Sequence, residues 1–338
     1  MTGHADLNPA EFADTANAVM AACRDAAGAP ARARLLGEAG LLGVLAPESA
    51  GGMALPIAFA VPVLEAAGFQ QLEYPLLEAM LLARAFGDEP GLARAIVTGE
   101  CRPTIAWSGE PSADAGRVGR APLGATATHV LVLQAGGGAL LVRTDGPGVE
   151  GRDAGSLDLI RPEHAFAVSA SAGGAALNTE RLADLLADAV LLRTTLILGH
   201  ADACLRSACE YADQRQQFGR ALSANQAISH RLARHGLAVE TIRSAITRAS
   251  SVAPHERTLA TWAAFAGACE LGPAVCEGAI QVFGGMGFTW ELPVHRHLRS
   301  IRTLATQGAV TELRDRIADH LFQASAAWLA GGNRHAGR

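Results

Sequence analysis

The sequence contains no lysine, so all 28 of its basic residues are arginine. We attribute this to a coding bias rather than to chemistry, because composition sets only broad expectations about a chain. Basic and acidic residues are nearly balanced, 28 against 33, and this balance gives no indication of nucleic acid or an anionic membrane surface as a partner. The six cysteines show no CxxC spacing. Metal sites and disulfides stay possible, but buried free thiols are favoured and no metal is expected.

Long hydrophobic runs and targeting segments are also lacking. Residues 1–10 have neither a basic start nor an apolar stretch, so no signal peptide is visible. The longest uncharged run, 121–142, is interrupted by proline, histidine and glycine, which favours strands over a membrane helix. No GxSxG motif, phosphate-binding loop or dinucleotide-binding GxGxxG follows a predicted strand. We therefore expect a cytoplasmic protein with no membrane-spanning segment.

The apolar content, 49% of 338 residues, is sufficient for a large core. Apolar spacing predicts helices up to about residue 103, then β-type alternation, then four long helices. The helices are predicted at 11–26, 31–40, 76–86, 182–213, 224–250, 256–282 and 309–329, and the strands at 104–108, 129–134 and 139–143. These patterns predict an α+β fold with an N-terminal helical domain (1–103), a small middle β-domain (104–178) and a C-terminal four-helix bundle (179–338).

Two short motifs in the C-terminal part carry most of the functional information, Arg215–Gly219 and Gln281–Phe288. The first is similar to the Arg-x-Gln-Phe-Gly pattern of the acyl-CoA dehydrogenases. The second, with its Gly284-Gly285 pair, is similar to the other flavin-clamping motif of that family, and the order of helical, β and helical regions also resembles its architecture. Without the resemblance, a solvated arginine at a helix end and an ordinary helix stop would be the favoured explanations of these two motifs.

The resemblance implies FAD as cofactor, with its ring mainly in a neighbouring subunit and its ADP end gripped by Arg215, Phe218, Gln281, Gly284 and Gly285. A guanidinium such as Arg215 can meet the charged pyrophosphate with paired hydrogen bonds. Glycines at 284 and 285 let backbone N–H groups approach a ligand closely. Phe218 offers an apolar face to the nucleotide, and Gln281 offers an amide that is both donor and acceptor.

The chain departs from the family at the place of the catalytic base. The family carries a carboxylate directly before a glycine near the end of the chain, where this sequence has Gln307 and Gly308. An amide cannot take a proton from carbon. Some members place the base on an earlier helix, which falls near Ala189 and Val190, with Asp188 adjacent. The sequence therefore predicts no catalytic residue in this chain, and Asp188 is the one remaining candidate.

The middle region also departs from the family pattern. The segment Ile105–Pro111 resembles the strand that backs the flavin, but Gly109 stands where a hydroxyl residue is usual. The Gly-Ser-Asp loop that follows in the family is replaced by Ser112–Gly116, and its Lys-x-Trp strand has no counterpart between Val118 and Val130. We therefore predict that the middle region has lost much of the site that this chain would supply to its own flavin.

Two pairs of histidines give little functional signal. His230 and His235 are five residues apart and lie on different faces of a predicted helix, which argues against a metal pair. His295 and His297 flank Arg296 in a segment predicted to be a basic turn at a surface or an interface.

The resemblance therefore implies the non-catalytic, shorter subunit of a heteromeric acyl-CoA dehydrogenase, commonly a heterotetramer with two copies of each chain. Its partner would be a full-length acyl-CoA dehydrogenase subunit that carries the base and most of the acyl-CoA site. The reaction would be α,β-dehydrogenation of an acyl-CoA, for example a steroid side-chain thioester. Two alternatives stay open: an active homo-oligomeric FAD-dependent acyl-CoA dehydrogenase with an atypical base, and a flavin-free structural assembly subunit.

Overall fold

A computed structural model describes residues 8–112, 116–134 and 137–332. Within these ranges the chain forms ten α-helices and ten β-strands, together with short 3-10 turns. Residues 113–115 of the replaced loop lie outside the described residues. The first helices, the strands and the last helices follow one another in the predicted order.

The N-terminal part consists of the helices α1 (Glu11–Asp25), α2 (Gly28–Glu38), α3 (Ala60–Phe69), α4 (Leu76–Ala85) and α5 (Pro90–Val97). Helices α1, α2 and α4 begin and end within three residues of the predicted positions. The sequence reasoning missed α3 because this helix is apolar on nearly all sides and buried, so it shows no amphipathic stripe. It missed α5 because a helix of 8 residues is too short to establish a period.

The middle part contains β1 (Pro103–Ile105), β2 (Ser108–Ser112), β3 (Gly116–Pro122), β4 (His129–Leu133), β5 (Ala139–Arg143), β6 (Val149–Asp153), β7 (Glu163–Val168) and β8 (Ala175–Leu177). They form two sheets with the strand orders β1-β4-β5-β8 and β2-β3-β7-β6. Only β1 and β4 pair in parallel among the described strands. Side chains from both sheets, such as Val130, Val142 and Phe166, share one small apolar core.

The C-terminal part consists of α6 (Thr179–Gln214), α7 (Gln226–Ser251), α8 (Pro254–Phe283), α9 (Val294–Gln307) and α10 (Val310–Gly332), with a hairpin of β9 (Gln216–Gln217) and β10 (Arg220–Ala221) after α6. Helices α6 and α8 run in parallel, because their contacts advance together along both helices. Ile197 lies against Gly272, and Tyr211 lies against Phe283. The carboxyl ends of these two long helices therefore meet at the same end of the bundle.

Helix α9 corrects the expectation of a basic turn between α8 and α10. Apolar or buried side chains at Val294, His297, Ile301 and Leu304 form one helical face that packs on α6 and α8. His295 and His297 are both buried, not at a surface. The helical pattern of apolar residues in α9 was not apparent in the sequence, because His297 occupies one of the core positions of this face.

One hydrophobic core extends from Ala16 in α1 to Leu313 in α10 and joins the helical parts. Helices α3 and α6 are in backbone contact: a Cβ on Gly199 would lie 2.1 Å from the carbonyl oxygen of Glu65. This contact fixes the N-terminal helices to the bundle, because no larger residue fits between the two backbones.

Helix α8 with its following turn, Pro254–Phe288, is long and apolar enough to cross a membrane by length and composition. Of its most apolar window, 50% is buried, and α8 packs against α6, α7, α9 and α10. Burial on several sides is usual for the central helix of a bundle.

Candidate functional site

The first motif forms the end of α6 and a tight hairpin. Arg215 is the exposed C-terminal cap of α6, and its backbone N–H donates to the carbonyl oxygen of Tyr211. The two turn residues, Phe218 and Gly219, both have positive φ, at 54° and 77°. This is the geometry of a two-residue primed turn, which suits Gly219 and is unusual for a phenylalanine. The turn leaves the Phe218 side chain 94% exposed, so this large apolar group has almost no protection within the chain.

The second motif forms the end of α8. Gln281 is exposed in its last turn, and Gly284 is the C-terminal cap, with φ 65° and ψ −137°. This backbone conformation is accessible essentially only to glycine. A Cβ added to Gly284 or Gly285 would meet no atom within 4 Å. Packing within the chain therefore does not require Gly285, and the space beside both glycines is free for a ligand.

The structure brings the two motifs together. The rings of Tyr211 and Phe283 lie 4.7 Å apart. Phe283 directly precedes the Gly284 cap, and Tyr211 lies one helical turn before Arg215. The exposed aromatic side chains Phe288 and Trp290 follow on the same segment. We call the five predicted residues at this end of the bundle the clamp: Arg215, Phe218, Gln281, Gly284 and Gly285. It presents a cation, an aromatic face, an amide and two open glycine backbones, a set of groups that fits a pyrophosphate and its nucleotide.

Gln307, at the position where the resembling family carries its base, is buried and held by the middle part. Its Nε2 donates to Glu163 Oε1 at 3.0 Å. The other carboxylate oxygen of Glu163 pairs with Arg120 at 3.0 Å, and the backbone carbonyl of Arg120 accepts from the N–H of Trp107. A continuous series of contacts, through Glu163 and Arg120, therefore links Gln307 to Trp107 in the segment that resembles the flavin-backing strand. No group in this chain of contacts can act as a free base.

A buried group of charges occupies the space between α4, α6 and the middle part. We call it the charge cluster: Glu78, Trp107, Arg161 and Arg193. Arg161 Nη2 donates to both oxygens of Glu78 at 3.0 Å, and Trp107 Nε1 donates to Glu78 Oε1 at 2.9 Å. The Arg193 guanidinium lies 3.8 Å from the centre of the Trp107 ring. Desolvation lowers the pKa of Arg193 to about 10, although Glu78 acts in the opposite direction.

Arg193 of the charge cluster lies on the same helix, α6, as Ala189, one of the positions near which the alternative base was expected. Ala189 and Arg193 are four residues apart on α6, so they share one face of the helix. Both side chains are buried, and the Arg193 guanidinium lies over the Trp107 ring. The internal cavity beside the cluster, lined by Tyr74, Arg161 and Ser300 among others, has a volume of only about 10 Å³. That volume holds one water molecule at most, whereas small-molecule sites measure roughly 300–1,000 Å³.

Asp188 lies outside this interior. It is one residue before Ala189, which places it about 100° around the helix. It faces a separate open pocket of about 620 Å³ and pairs with Arg84 at 2.6 Å. Burial raises the pKa of Asp188, and Arg84 offsets part of that rise. The structure therefore does not bring Asp188 together with Gln307 or the clamp.

Among the described residues, no group of three histidine, cysteine, aspartate or glutamate side chains is able to hold a metal ion. All six cysteines are unpaired, and five of them are buried. Burial raises the pKa of Cys101 to about 11, which keeps its thiol protonated at neutral pH.

The sequence matches the family model described as acyl-CoA dehydrogenase, C-terminal domain, over residues 179–322. It is similar along most of its length to acyl-CoA dehydrogenase FadE27 of Mycobacterium tuberculosis, with 29% identity over 335 residues, 87% of this chain and 88% of that protein. Over 129 residues it is 36% identical to the mitochondrial short-chain specific acyl-CoA dehydrogenase of Bos taurus, spanning 37% of this chain and 31% of that protein. The chain belongs to the acyl-CoA dehydrogenase family.

Solved structures of acyl-CoA dehydrogenases share the fold. A chain of the ChsE4-ChsE5 complex from Mycobacterium tuberculosis superposes with a TM-score of 0.81 at 25% identity, covering 95% of this chain and 98% of that chain. Butyryl-CoA dehydrogenase from Megasphaera elsdenii superposes with a TM-score of 0.78 at 19% identity, covering 95% and 100%. The predicted α+β, acyl-CoA dehydrogenase-like fold is confirmed.

Sequence reasoning missed the charge cluster of this chain, although a signal was present. Glu78 and Arg193 are single charges within apolar helical stretches, which indicates buried and paired charges. Arg161 is positioned by Asp158, whose Oδ1 accepts from the backbone N–H of Arg161 at 3.1 Å. The turn formed by Asp158 and Arg161 can be recognised from neighbouring residues, but Glu78, the distant partner of Arg161, cannot.

Buried histidines give the stability of this chain a predicted pH dependence. His200 Nδ1 and His297 Nδ1 are 2.9 Å apart and both side chains are buried. Desolvation lowers the pKa of His200 well below 6.5 and that of His297 to about 3. Below about pH 6.5 the unfolded chain therefore binds protons that the folded chain does not. We expect the folding constant to fall about tenfold per pH unit for each histidine as pH drops from about 6.5 to 5.

Urea unfolding at a series of pH values measures this slope. The variant His297→Asn should have a shallower slope, whereas the control His255→Gln, at an exposed histidine, should keep the slope of the unmodified chain. An unchanged slope in His297→Asn would show that the buried pair does not cause the pH dependence.

Proposed function

We propose that this chain is the non-catalytic subunit of a heteromeric acyl-CoA dehydrogenase and contributes the ADP-side clamp for FAD across a subunit interface. One contrast carries the proposal. The clamp is open and its Phe218 side chain is 94% exposed, whereas the interior of the chain is closed by the charge cluster and by the Gln307–Glu163 contact. A chain of this kind supports FAD binding at its surface and not turnover in its interior.

The clamp residues would act on the dinucleotide and not on the reacting carbon atoms. Arg215 would neutralise the pyrophosphate with charge-assisted hydrogen bonds. The backbone at Gly284 and Gly285 would approach the phosphate oxygens, because no Cβ stands in the way. Phe218 would cover the nucleotide and shield it from water, and Gln281 would hold its orientation. When bound, FAD accepts the hydride that leaves the acyl group.

The proposed partner is a full-length acyl-CoA dehydrogenase subunit that carries the catalytic carboxylate and most of the acyl-CoA site. Two observations support such an assembly: the cavity beside the charge cluster, of about 10 Å³, is too small for an acyl chain, and a chain of the two-component ChsE4-ChsE5 complex is similar over 95% of this chain. We propose a heterotetramer with two copies of each chain, acting in the cytoplasm on a bulky acyl-CoA such as a steroid side-chain thioester. The division into domains at 103 and 178 and the clamp assignments are part of this proposal.

The stoichiometry of flavin tests the proposal. We expect the complex to contain about one FAD per two chains, and the isolated chain to retain almost none, since a half-site offers only part of the contacts. Absorbance of the flavin against total protein after gel filtration measures the ratio. Tight flavin binding with turnover by the isolated chain would refute the non-catalytic assignment.

One observation favours the alternative of an active homo-oligomer with an atypical base. Asp188 lines a pocket of about 620 Å³ with an apolar floor, and burial raises its pKa. A perturbed carboxylate in a large pocket is an ordinary sign of an active site. If this alternative holds, the isolated chain oxidises an acyl-CoA and Asp188→Asn abolishes turnover, while Asp184→Asn in the same pocket leaves it intact. The ion pair of Asp188 with Arg84, and the distance between Asp188 and the clamp along α6, favour a structural role for Asp188 instead.

A further inference from the structure

A recess of about 150 Å³ lies between α1, α2, the α3–α4 connection and α9. Three arginines from three different helices line it: Arg24 on α1, Arg32 on α2 and Arg296 on α9. Glu73 is the one carboxylate among the lining residues, so their formal charge is +3 − 1 = +2. None of the five clamp residues takes part. Like charges that converge in a small recess repel one another unless an anion lies between them.

Two of the three guanidinium groups, those of Arg24 and Arg296, have donors without partners among the described residues. All three nitrogens of Arg32 are held, by Glu73 Oε2 at 2.8 Å, by the carbonyl oxygen of Cys23 at 3.1 Å and by the carbonyl oxygen of Glu73 at 3.5 Å. Arg296 is fixed from one side, since its Nη2 donates to the carbonyl oxygen of Trp290 at 2.7 Å. Its Nε is buried and has no partner among the described residues. A buried donor without a partner is costly, so this atom indicates a missing acceptor.

One further feature supports a ligand in the recess. Arg24 has no hydrogen bond or ion pair in the described part of the chain, so its charge is uncommitted.

We propose that this recess binds a phosphate group, either as free phosphate or as part of a small phosphorylated molecule. A tetrahedral oxyanion of two charges balances the +2 of the lining residues. Arg24 and Arg296 donate hydrogen bonds to the phosphate oxygens. Arg32, held in place by Glu73 and Cys23, lines the recess and contributes its positive charge. Arginine suits this role, because its planar group offers several donors to one oxyanion.

The test is a titration of the purified protein, with its partner where the two copurify, with inorganic phosphate and separately with ADP at constant ionic strength. Calorimetry or thermal unfolding follows binding. We expect saturable binding of at least one of the two probes. Arg24→Ala should weaken it about tenfold or more, and this variant should fold because Arg24 is exposed. Arg296→Lys, which keeps the charge but removes Nε, should weaken it as well.

Arg34→Ala is the matched control, since Arg34 lies on the same helix as Arg32 but pairs with Glu38 outside the recess. Binding of inorganic phosphate alone identifies a free-ion site, and binding of ADP alone identifies a site for a larger phosphorylated molecule. Equal weakening in Arg24→Ala and Arg34→Ala, or no saturable binding of either probe, would overturn the proposal. ADP binding that depends on Arg215 and not on Arg24 would assign the effect to the clamp and overturn it too.

Discussion

Replacing Arg215 by alanine is expected to lower the affinity of the assembled complex for FAD about 10- to 150-fold. A hydrogen bond between a guanidinium and a charged phosphate contributes about 1.5–3 kcal/mol, which corresponds to that range. Arg215 is exposed at the end of α6, and in the described part of the chain its side chain has no partner that the substitution would strand, so the fold should be unaffected. Fluorescence titration of the flavin-free complex with FAD measures the affinity.

Arg316→Ala is a suitable control, because Arg316 is an exposed arginine on α10, away from the clamp. It should leave FAD affinity unchanged. If Arg215→Ala also leaves the flavin content of the complex unchanged, the clamp is not used, and the chain is a flavin-free assembly subunit. If the partner alone binds FAD as tightly as the complex, the same conclusion follows.

Replacing Glu78 by alanine is expected to destabilise the chain by about 3–5 kcal/mol, because it leaves a buried arginine without its counter-charge. Arg161 would lose both of its bonds to the carboxylate, and the indole N–H of Trp107 would lose its acceptor. Arg193 would then lie beside Arg161 with no negative charge between them. Urea unfolding followed by circular dichroism measures the free energy of unfolding.

The exposed pair of Arg302 and Glu277 provides the comparison. Glu277→Ala should change the free energy of unfolding by less than about 1 kcal/mol, as is usual for surface ion pairs. Glu78→Gln should be less harmful than Glu78→Ala, since an amide oxygen can still accept from Trp107. A loss of less than about 1 kcal/mol in Glu78→Ala would show that the charge cluster does not hold the interior closed.

The clamp residues could be predicted from the sequence because each motif is local. Arg215 and Phe218 are three residues apart, and Gly284 directly follows an apolar helix, so neighbouring residues alone define both motifs. Their meeting at one end of the bundle could not be found in this way. It depends on the parallel packing of α6 and α8, which places Tyr211 against Phe283. No spacing along the chain encodes that contact.

The absence of a base at Gln307 could also be seen in the sequence, but its environment could not. Glu163 and Gln307 are separated by 144 residues, and Glu78 and Arg161 by 83. Charged side chains pair across such separations only after the helices and sheets have packed. A single charge in an apolar segment therefore predicts that a partner exists, without showing which residue it is.

The parallel course of α6 and α8 has an electrostatic consequence for the clamp. Each helix carries a partial negative charge of roughly half an elementary charge at its carboxyl end. Both carboxyl ends lie beside the clamp, so the peptide dipoles repel a pyrophosphate there instead of attracting it. This is the reverse of the usual phosphate site at a helix amino terminus. Anion binding at this end of the bundle must rest on the Arg215 cation and on the backbone N–H groups of the glycine turn, and it should weaken as salt screens that cation.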